Sequence, residues 1–357
     1  MKILIDIGHP AHVHYFKNFI KIMEQKGHEF LIIAKNRNIT YDLLNYYTIP
    51  FVKRKDYPSS LIGKLLNIPL TDLYVIKLAR KFKPNILLGF SGTHIAHAGK
   101  LLRIPSVVID DTDHATLAHL SYKSFATHIL TPSSFSKDFG LKHIRFDGFT
   151  DLFYLHPSVF KVAKNIRELL QISKGEKFVV FRFVSFRASH DVGHSGMSDD
   201  DKIKLINLFN DKRFKVFISS EGALPDNLKK YSLQLPPEYI HSALFEADMF
   251  IGESGTMATE AAILGTPSVL INSLDAGVFK ELVACGLLYH IKTMDAIVEI
   301  VKDFDLGEDL KEKHIINRDR LLSEKIDLTK FLIWFIENYP ESASTMKKNP
   351  DYQNKFK

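Results

Sequence analysis

EADMFIGESGTMATEAAILGTPSVLI, residues 246–271, contains a strand, a turn, a helix and a second strand in immediate succession. The apolar run Met249–Gly252 predicts a short buried strand, and Ser268–Ile271 predicts the next one. Between them, the spacing of apolar residues predicts a helix over Thr256–Leu264 that ends at a Gly-Thr-Pro turn. A strand, a helix and a strand in this order form a parallel unit, so the stretch predicts an α/β fold.

The same alternation of short apolar runs and helical segments continues on both sides of this stretch. In the first half, strands are predicted at Ile3–Ile7, Phe30–Ala34, Ile86–Gly89, Ser106–Ile109 and Thr127–Leu130, with helices at Val13–Gln25 and Ile95–Leu102. In the second half, further strands are predicted at Phe178–Val184 and Phe214–Ser219, with helices at Asp200–Phe209 and Phe279–Ala284. Runs of this kind indicate parallel sheets covered by helices on both faces, that is, two doubly wound Rossmann-like domains.

The domain boundary is predicted in Asp147–Pro157, a stretch with few helical or strand signals. We expect a first domain over residues 1–157 and a second over residues 158–338, which includes the C-terminal helices. Residues 339–357 are polar and are predicted to form a frayed tail. With 357 residues, the chain also exceeds what one hydrophobic core usually supports.

Composition limits the compartment and the partners. The balance of 47 Lys and Arg against 41 Asp and Glu favours anionic ligands, but no basic arm is present, so no nucleic-acid partner is expected. The one cysteine, Cys285, excludes an internal disulfide and a cysteine zinc cluster, which is typical of the cytoplasm. The N-terminal apolar run is interrupted by Asp6, so it predicts a buried strand and not a signal peptide or a spanning helix.

The first loop, GHPAHVH at residues 8–14, carries three histidines after a predicted strand. Gly8 would allow a tight turn, and the helix that follows presents free N–H groups to a phosphate or an anionic transition state. His9, His12 and His14 cannot all fill the core in so short a segment. We predict that Gly8, His9 and His14 contact substrate and that His12 is catalytic.

The second loop, GFSGTHIAHAG at residues 89–99, brings Ser91, Thr93 and His94 to another predicted helix start. Because the carboxyl ends of parallel strands share one edge of a sheet, we expect these residues near the first loop and assign them to substrate binding. Thr93 alone could equally be a helix cap.

The third loop, DDTDHAT at residues 110–116, places carboxylates and a histidine at the end of a buried strand. Asp111 and His114 are assigned catalytic roles, since a carboxylate here could act as a general base or orient a histidine. Asp113 or Thr112 could instead cap the next helix. A metal site is a further alternative, because Asp111 and Asp113 form a DxD pair.

In the second domain, the helix start after Gly252 is the most specific feature. Ser254, Gly255, Thr256 and Met257 would expose backbone N–H groups to a diphosphate at the positive end of a helix. Glu260 lies one turn further on the same side and is predicted to reach ribose hydroxyls.

Two other loops of the second domain are predicted to contact the donor. SFRASHDVGHSG, residues 185–196, follows a strand and contains Ser185 and Arg187, and Arg187 could offset diphosphate charge. Arg182 lies at the end of that strand. FISSEGALP, residues 217–225, adds Ser219 and Glu221 after the next strand. We assign Arg187 a catalytic role and the other four residues to substrate binding.

These motifs resemble the GT-B glycosyltransferases of the group that contains the peptidoglycan N-acetylglucosaminyltransferase and the UDP-N-acetylglucosamine 2-epimerases. The resemblance is strongest to an uncharacterised prokaryotic family of that superfamily. It runs from IDIGHPAHVHYF through DDTDHA and RFVSFRASHDVGHSG to IGESGTMATEAAILGTP. It implies a GT-B fold, in which two Rossmann-like domains face a cleft that binds a nucleotide-sugar, with no cofactor.

Residue by residue, the resemblance implies that Gly255 and Thr256 touch the donor diphosphate and that Glu260 binds the ribose. PPEYIH, residues 236–241, falls where such enzymes grip the nucleobase, which implies roles for Ile240 and His241. The peptidoglycan enzyme also has a histidine where His12 stands. The chain departs from that enzyme in having GHPAH in place of a run of glycines, and it lacks the arginine of the epimerases' first loop.

The function that follows is metal-independent transfer of a sugar from a nucleotide diphosphate, with UDP expected, to a glycan or lipid-linked acceptor in a surface-glycan pathway. His12 or Asp111 would take the acceptor proton, while Arg187 and the helix start at Thr256 offset charge on the leaving group. Two alternatives stay open, a UDP-sugar 2-epimerase or hydrolase and a non-catalytic nucleotide-sugar-binding protein.

Peripheral contact with the inner face of the membrane is also an open possibility from the sequence. Basic residues at Lys53–Lys55 precede SSLIGKLLNIPL, residues 59–70, and such mixtures of basic and apolar residues dock on anionic lipid. A loop and an ordinary packed helix would explain the same segment.

Overall fold

The computed structural model describes residues 1–37, 39–54, 61–163, 165–184, 197–220, 222–292, 297–302 and 309–357. They form two compact units. The first unit consists of Met1–Val159 together with Lys325–Lys357, and the second unit consists of Phe160–Glu324.

The first unit alternates strands and helices from its first residues. Its elements up to residue 155 are β1 (Lys2–Ile7), α1 (Pro10–Gln25), β2 (Glu29–Ala34), α2 (Thr40–Tyr46), β3 (Val52–Lys53), α3 (Leu61–Phe82), β4 (Ile86–Phe90), α4 (Thr93–Leu102), β5 (Ser106–Ile109), α5 (Thr116–Tyr122), β6 (His128–Pro132), β7 (His143–Phe146) and α6 (Leu152–Leu155). The seven strands form a parallel sheet in the order β3-β2-β1-β4-β5-β6-β7. This order is doubly wound, because it reverses direction between β1 and β4.

The second unit repeats this plan on a smaller scale. Its elements are α7 (Ile166–Leu169), β8 (Phe178–Phe183), α8 (Asp199–Asp211), β9 (Lys215–Ser220), α9 (Ile240–Glu246), β10 (Met249–Gly252), α10 (Gly255–Ile263), β11 (Ser268–Ile271), α11 (Gly277–Ala284), β12 (Leu288–Ile291), α12 (Ile297–Lys302) and α13 (Asp309–Glu324). Five parallel strands take the order β12-β11-β10-β8-β9, with the reversal between β8 and β10.

Each sheet is buried because its strands are apolar on both faces. In the first unit, Leu4, Leu87 and Val108 from three neighbouring strands pack in one core with Ile95 of α4. In the second unit, Phe181 and Ile251 pack with residues of α8 in the same way. Removal of such surface from water stabilises both sheets and leaves the loops at the strand ends free to carry polar side chains.

The C-terminal helices differ from the sequence prediction, which placed residues up to 338 in the second domain and the rest in a polar tail. The helices α14 (Leu328–Glu337) and α15 (Glu341–Lys348) belong to the first unit, and α14 packs against α1 and α6. Residues 350–356 form a final 3₁₀ turn, in which the Tyr352 ring lies 4.9 Å from that of Trp334. The tail is therefore ordered, because its aromatic side chains cover the apolar face of α14.

The predicted strands and helices are present close to their expected bounds, and three short strands that the sequence analysis missed lie at sheet edges. These are β3, β7 and β12, of which β3 has only two residues. Within the described ranges, we find no helix that is both long and apolar enough to span a bilayer.

Candidate functional site

The two reversals of strand order mark where each unit can bind a ligand. In open parallel sheets, ligands bind outside the carboxyl ends of the strands at such a reversal. In the first unit, the loops in question follow β1 and β4, and in the second unit they follow β8 and β10. The second unit has the more specific sequence motif at its reversal.

The helix α10 begins directly after β10, at the reversal of the second sheet. Ser254 is its N-cap, and the Ser254 hydroxyl oxygen accepts a hydrogen bond from the backbone N–H of Met257 at 3.4 Å. The first turn contains no acidic side chain. Thr256 is exposed, and Gly255 and Met257 are half-buried. The first turn therefore combines a positive dipole end with accessible N–H groups, which is how helices bind phosphate.

Two glycines in this motif are required by close packing. A Cβ atom on Gly252 would lie 2.7 Å from the carbonyl oxygen of Arg182 on the neighbouring strand. A Cβ atom on Gly255 would lie 2.6 Å from the ring of Phe279 in α11. Real Cβ atoms do not approach so closely, so β8, β10 and α11 can meet at the start of α10 only because both side chains are absent.

Glu260 is buried inside this motif, and its partner is a histidine from α9. The Nε2 atom of His241 lies 3.0 Å from Oε1 of Glu260, and both side chains are buried. A buried carboxylate needs such a partner. The two residues that were predicted separately, one for the ribose and one for the nucleobase, thus form a single pair. Ile240 is half-buried and begins α9 next to this pair.

Glu253 holds the strand ends behind α10, a role that the sequence analysis did not predict. Its carboxylate is buried and accepts hydrogen bonds from the backbone N–H groups of Val184 at 2.9 Å and Met197 at 2.6 Å. The Asn272 side chain donates to its carbonyl oxygen at 3.0 Å. Burial raises the pKa of Glu253, and the two backbone donors oppose that shift. Glu253 therefore fixes β8, β10 and β11 relative to one another at the carboxyl edge.

A polar cavity lies beside this edge, at the end of β9. Its volume is about 320 Å³, and its lining consists of Ile218, Ser219, Ser220, Gly222, Ala223, Leu224, Lys229, Ser232 and Leu233. The Arg182 guanidinium donates a hydrogen bond to the Ser219 hydroxyl at 2.8 Å. Of the predicted donor-contacting residues, Ser185, Arg187 and Glu221 lie outside the described residues, so their roles stay predictions.

In the first unit, His9 and His12 stand at the start of α1, directly after β1. His9 is the N-cap, and its Nδ1 accepts a hydrogen bond from the Ala11 N–H at 3.2 Å. Nδ1 of His12 accepts one from the Gly8 N–H at 3.2 Å. Burial lowers the pKa of His9 to about 4 and holds the pKa of His12 well below 6.5, and the cation of Arg37 contributes in both cases.

Both rings are therefore neutral near pH 7, and each carries its proton on Nε2. In this geometry His12 is a hydrogen-bond donor, which differs from the basic role that the sequence suggested. Gly8 does not have the positive φ that a tight glycine turn would need, and its N–H serves to orient His12. His14 is buried, with its ring 5.4 Å from that of Tyr154, so it is a core residue.

An ion pair beside these histidines also escaped the sequence analysis. The guanidinium of Arg54 lies 3.0 Å from the Asp6 carboxylate, and both side chains are largely buried. The positive charge of Arg54 is one of the causes that keep His12 neutral. The pair joins the end of β1 to the residue after β3.

The carboxylates at the end of β5 differ sharply in their surroundings. Asp110 is fully buried and accepts hydrogen bonds from the hydroxyl groups of Ser91 at 2.8 Å and Tyr122 at 2.6 Å, which marks it as structural. Asp111 is half-buried and accepts hydrogen bonds from the hydroxyl groups of Thr112 and Thr150. Burial raises the pKa of Asp111 to about 6, against the effect of these two donors. Asp111 can therefore exchange a proton near neutral pH.

Asp113 and His114 of the same loop lie in surroundings that differ from those of Asp111. Asp113 accepts hydrogen bonds from the N–H of Ser136 at 2.7 Å and from its hydroxyl at 2.6 Å, and His114 is exposed. The two members of the DxD pair thus bind separate groups. Among the residues that the structure describes, no set of three or more His, Cys, Asp or Glu side chains is arranged to hold a metal ion.

The loop after β4 carries a network centred on Asp72 of α3, which the sequence analysis did not single out. Asp72 lies 2.7 Å from Nδ1 of His94 through one carboxylate oxygen and 2.7 Å from Nδ1 of His97 through the other. Nε2 of His97 lies 2.8 Å from the carbonyl oxygen of Ser121, whose hydroxyl is 2.6 Å from that of Thr93. Of the residues predicted here, His94 faces Asp72, Thr93 bonds to α5, and Ser91 bonds to Asp110.

Replacing Asp111 by asparagine is expected to change how stability depends on pH. Between pH 3.8 and about 6, the folded protein retains a proton on Asp111 that the unfolded chain releases. The wild type therefore loses about 1–2 kcal/mol of free energy of unfolding as the pH rises through this window, and the variant does not. Urea unfolding at steps between about pH 4 and about pH 7 measures the difference, and parallel curves for the two proteins would contradict the raised pKa.

Solved structures of a UDP-bound protein, a UDP-GlcNAc 2-epimerase and a rhamnosyltransferase share this fold at low sequence identity. The chain aligns with the S. aureus MnaA–UDP co-structure at a TM-score of 0.71 and 12% identity, covering 96% of this chain and 97% of the other. UDP-GlcNAc 2-epimerase from Neisseria meningitidis bound to UDP-GlcNAc gives a TM-score of 0.69 and 16% identity, covering 94% and 99%. The spinosyn rhamnosyltransferase SpnG complexed with spinosyn aglycone gives 0.60 and 14%, covering 95% and 100%.

These likenesses and the two sheets confirm the predicted fold class, two doubly wound parallel-sheet domains of the GT-B type. A curated relative by sequence is the uncharacterized protein MJ0665 of Methanocaldococcus jannaschii. It is 24% identical over 337 residues, which are 91% of this chain and 98% of the relative. The chain belongs to the family described as Protein of unknown function (DUF354), whose model matches residues 1–329.

Proposed function

We propose that this protein is a glycosyltransferase that takes its sugar from a nucleotide diphosphate-sugar, with UDP as the nucleotide, and binds that donor in the second unit. The observation that carries the proposal is the start of α10. A serine-capped helix with accessible N–H groups begins at the reversal of the sheet, and the buried Glu260–His241 pair lies one turn behind it. Solved structures with this fold contain UDP and UDP-GlcNAc, which supports the choice of nucleotide.

The contacts proposed for the donor follow from the chemistry of each group. The N–H groups of Gly255 and Thr256 bind the diphosphate at the positive end of α10. Glu260 accepts hydrogen bonds from ribose hydroxyls, because a carboxylate held by His241 can accept from further donors. Backbone groups near Ile240 bind the nucleobase. The polar cavity beside Ser219 offers hydroxyl groups to the sugar.

The first unit is proposed to serve the acceptor. His9 and His12 present neutral Nε2–H donors at the start of α1, suited to a sugar oxygen or to developing negative charge. Of the two groups that the sequence suggested for the acceptor proton, Asp111 is the better placed, because its pKa of about 6 is close to neutral pH.

A lipid-linked acceptor and contact with the inner face of a membrane are part of the proposal. Ile68, Leu70 and Leu73 of α3 expose large apolar side chains to solvent, and the exposed Lys53 precedes that helix. Exposed apolar side chains next to basic groups suit an anionic lipid surface. Residues 55–60 of the basic and apolar segment lie outside the described residues, and so do the side chains of residues 61–66.

A second candidate function is epimerisation of a UDP-sugar, which the structural likenesses favour. The epimerase from N. meningitidis matches with a TM-score of 0.69, against 0.60 for the rhamnosyltransferase. In that case Asp111 would act on the sugar itself. Incubation with the nucleotide-sugar alone separates the two functions, since an epimerase converts it without an acceptor and a transferase requires one.

A thermal-shift panel tests the proposed function. The panel contains UDP, GDP, TDP, CDP, CMP and their common sugar conjugates, each with and without EDTA. A ligand that binds the folded state raises the melting temperature by mass action. We expect UDP and its sugars to raise it, with no effect of EDTA. The absence of any shift would contradict nucleotide-sugar binding, and a shift that EDTA abolishes would contradict a metal-independent site.

A further inference from the structure

The cluster formed by Asp72, His94, His97, Ser121 and Thr93, which we call the Asp72 network, joins three helices at the carboxyl edge of the first sheet. Asp72 belongs to α3, His94 and His97 lie one turn apart on α4, and Ser121 is near the end of α5. Its three ionisable side chains are each less than one fifth exposed. Ordering and desolvating these polar side chains costs free energy, which only a well-formed set of hydrogen bonds offsets. The partner of each imidazole nitrogen therefore indicates the role of that histidine.

The hydrogen bonds determine which ring nitrogen of each histidine carries a proton. A carbonyl oxygen only accepts, so Nε2 of His97 donates to Ser121, and Nδ1 of His97 shares a proton with one Asp72 oxygen. Nδ1 of His94 donates to the other Asp72 oxygen. Both nitrogens of His97 are thereby committed to structure. His94 differs, because nothing among the described residues occupies its Nε2 atom. In the neutral ring with the proton on Nδ1, Nε2 holds a lone pair that can accept a proton.

His94 lies at the edge of the first sheet where a ligand would bind. It is the second residue of α4, which follows β4 directly, and β4 is one of the two strands at the reversal of the first sheet. Its side chain is 15% exposed, so it is neither sealed in the core nor solvated on the surface. His12, at the other side of the same reversal, has its Nδ1 lone pair occupied by the Gly8 N–H, and its Nε2 carries a proton.

We propose that His94, positioned by Asp72, is the general base of the reaction and takes this role in place of Asp111. The inference rests on the proposed function. Nε2 of His94 accepts the proton of the acceptor hydroxyl as its oxygen bonds to the anomeric carbon. The bond from that carbon to the diphosphate oxygen breaks, and the nucleotide diphosphate leaves with the electron pair. Asp72 stabilises the imidazolium that results, as a carboxylate does in an aspartate–histidine pair.

The experiment compares His94→Ala with a matched variant of the same network, His97→Gln, in two measurements. The first is UDP affinity by calorimetry, and the second is release of UDP from the donor that the panel selects, with water or glycerol as acceptor. We expect His94→Ala to bind UDP within about twofold of the wild type and to lose UDP release by about 100-fold or more. We expect His97→Gln, which removes only a support of Asp72, to melt at a lower temperature and to lose UDP release by about tenfold or less.

Rescue with imidazole distinguishes a variant that has lost the general base from a variant that has lost a residue supporting it. Added imidazole should restore UDP release in His94→Ala by at least about tenfold and leave His97→Gln unchanged. Asp72→Asn should lower kcat by about 10- to 100-fold with KM for the donor unchanged, and Asp72→Glu should recover part of the loss. If His94→Ala keeps its rate within about threefold while Asp111→Asn does not, Asp111 is the base and the inference is wrong.

A chemical probe checks the free lone pair without turnover. Diethyl pyrocarbonate acylates unprotonated imidazole nitrogens, so in the wild type His94 should react about tenfold faster than His97, as located by mass spectrometry. Equal reaction of the two histidines would overturn the assignment of Nε2. If the wild type fails to bind UDP, the proposed function is wrong. If the wild type binds UDP and His94→Ala turns over normally, only this inference is wrong.

Discussion

Glu260→Gln is expected to weaken UDP binding by about 10- to 100-fold, because hydrogen bonds from ribose hydroxyls to a charged acceptor contribute about 1.5–3 kcal/mol. Glutamine keeps the shape of the side chain but offers a single acceptor oxygen. Oε1 of Glu260 already faces His241 at 3.0 Å, so in the variant the ribose meets an uncharged oxygen that is already shared or an NH2 group that cannot accept. Isothermal titration of UDP into the wild type and the variant measures the loss.

Two control variants make this result specific. Glu246→Gln removes the same charge from the end of α9 in the same unit, where the side chain is half-buried, and is expected to bind UDP like the wild type. His12→Ala lies in the first unit and should also retain UDP binding. If Glu260→Gln binds UDP normally while His12→Ala does not, the donor site has been assigned to the wrong unit.

Gly252→Ala is expected to lower the melting temperature of the protein by about 3–10 °C, because overpacking costs about 1–3 kcal/mol in a unit of this size. The added methyl group would lie 2.7 Å from the backbone oxygen of Arg182 and 2.8 Å from its Cβ atom. Backbone of a paired strand cannot move aside, so β10 must shift away from β8 and carry the start of α10 with it. UDP affinity should fall together with stability.

Gly255→Ala provides the contrasting case. There the obstruction is the tip of the Phe279 ring at 2.6 Å, which is a side chain. Phe279→Leu should therefore relieve Gly255→Ala in the double variant but should not relieve Gly252→Ala. Differential scanning fluorimetry of the single and double variants measures this coupling, and additive effects at positions 255 and 279 would contradict the packing described.

Most of the fold could be predicted because its strands are short apolar runs bounded by turns. Met249–Gly252 and Ser106–Ile109 are found with the bounds that the pattern predicted. The missed strands lie at sheet edges, where one side of the strand is solvated and the apolar signal fades. The tail was predicted wrongly because its few aromatic side chains, such as Tyr352, pack on the apolar face of α14. No local sequence pattern indicates that contact.

The candidate site was predictable in its loops but not in its partners. The run Gly-Glu-Ser-Gly at residues 252–255, directly before a helix, predicts from local sequence alone a helix start suited to an anion. The partner of His94 lies on α3, and the partner of Glu260 lies on α9. Each pair joins two different helices, so no local pattern indicates it. The protonation of His12 depends on a backbone N–H and on the charges of Arg37 and Arg54, which only the folded chain brings together.

Hydrogen exchange with and without UDP tests the central claim, that the second unit binds the nucleotide at the start of α10. Backbone amides that bind the diphosphate exchange more slowly in the complex, and so do the amides of the helix that contacts the ribose. We predict that UDP slows exchange in peptides that cover residues 252–260 and 240–246, and leaves peptides that cover residues 4–25 unchanged. Protection confined to the first unit, or no protection at residues 252–260 under saturating UDP, would contradict the account.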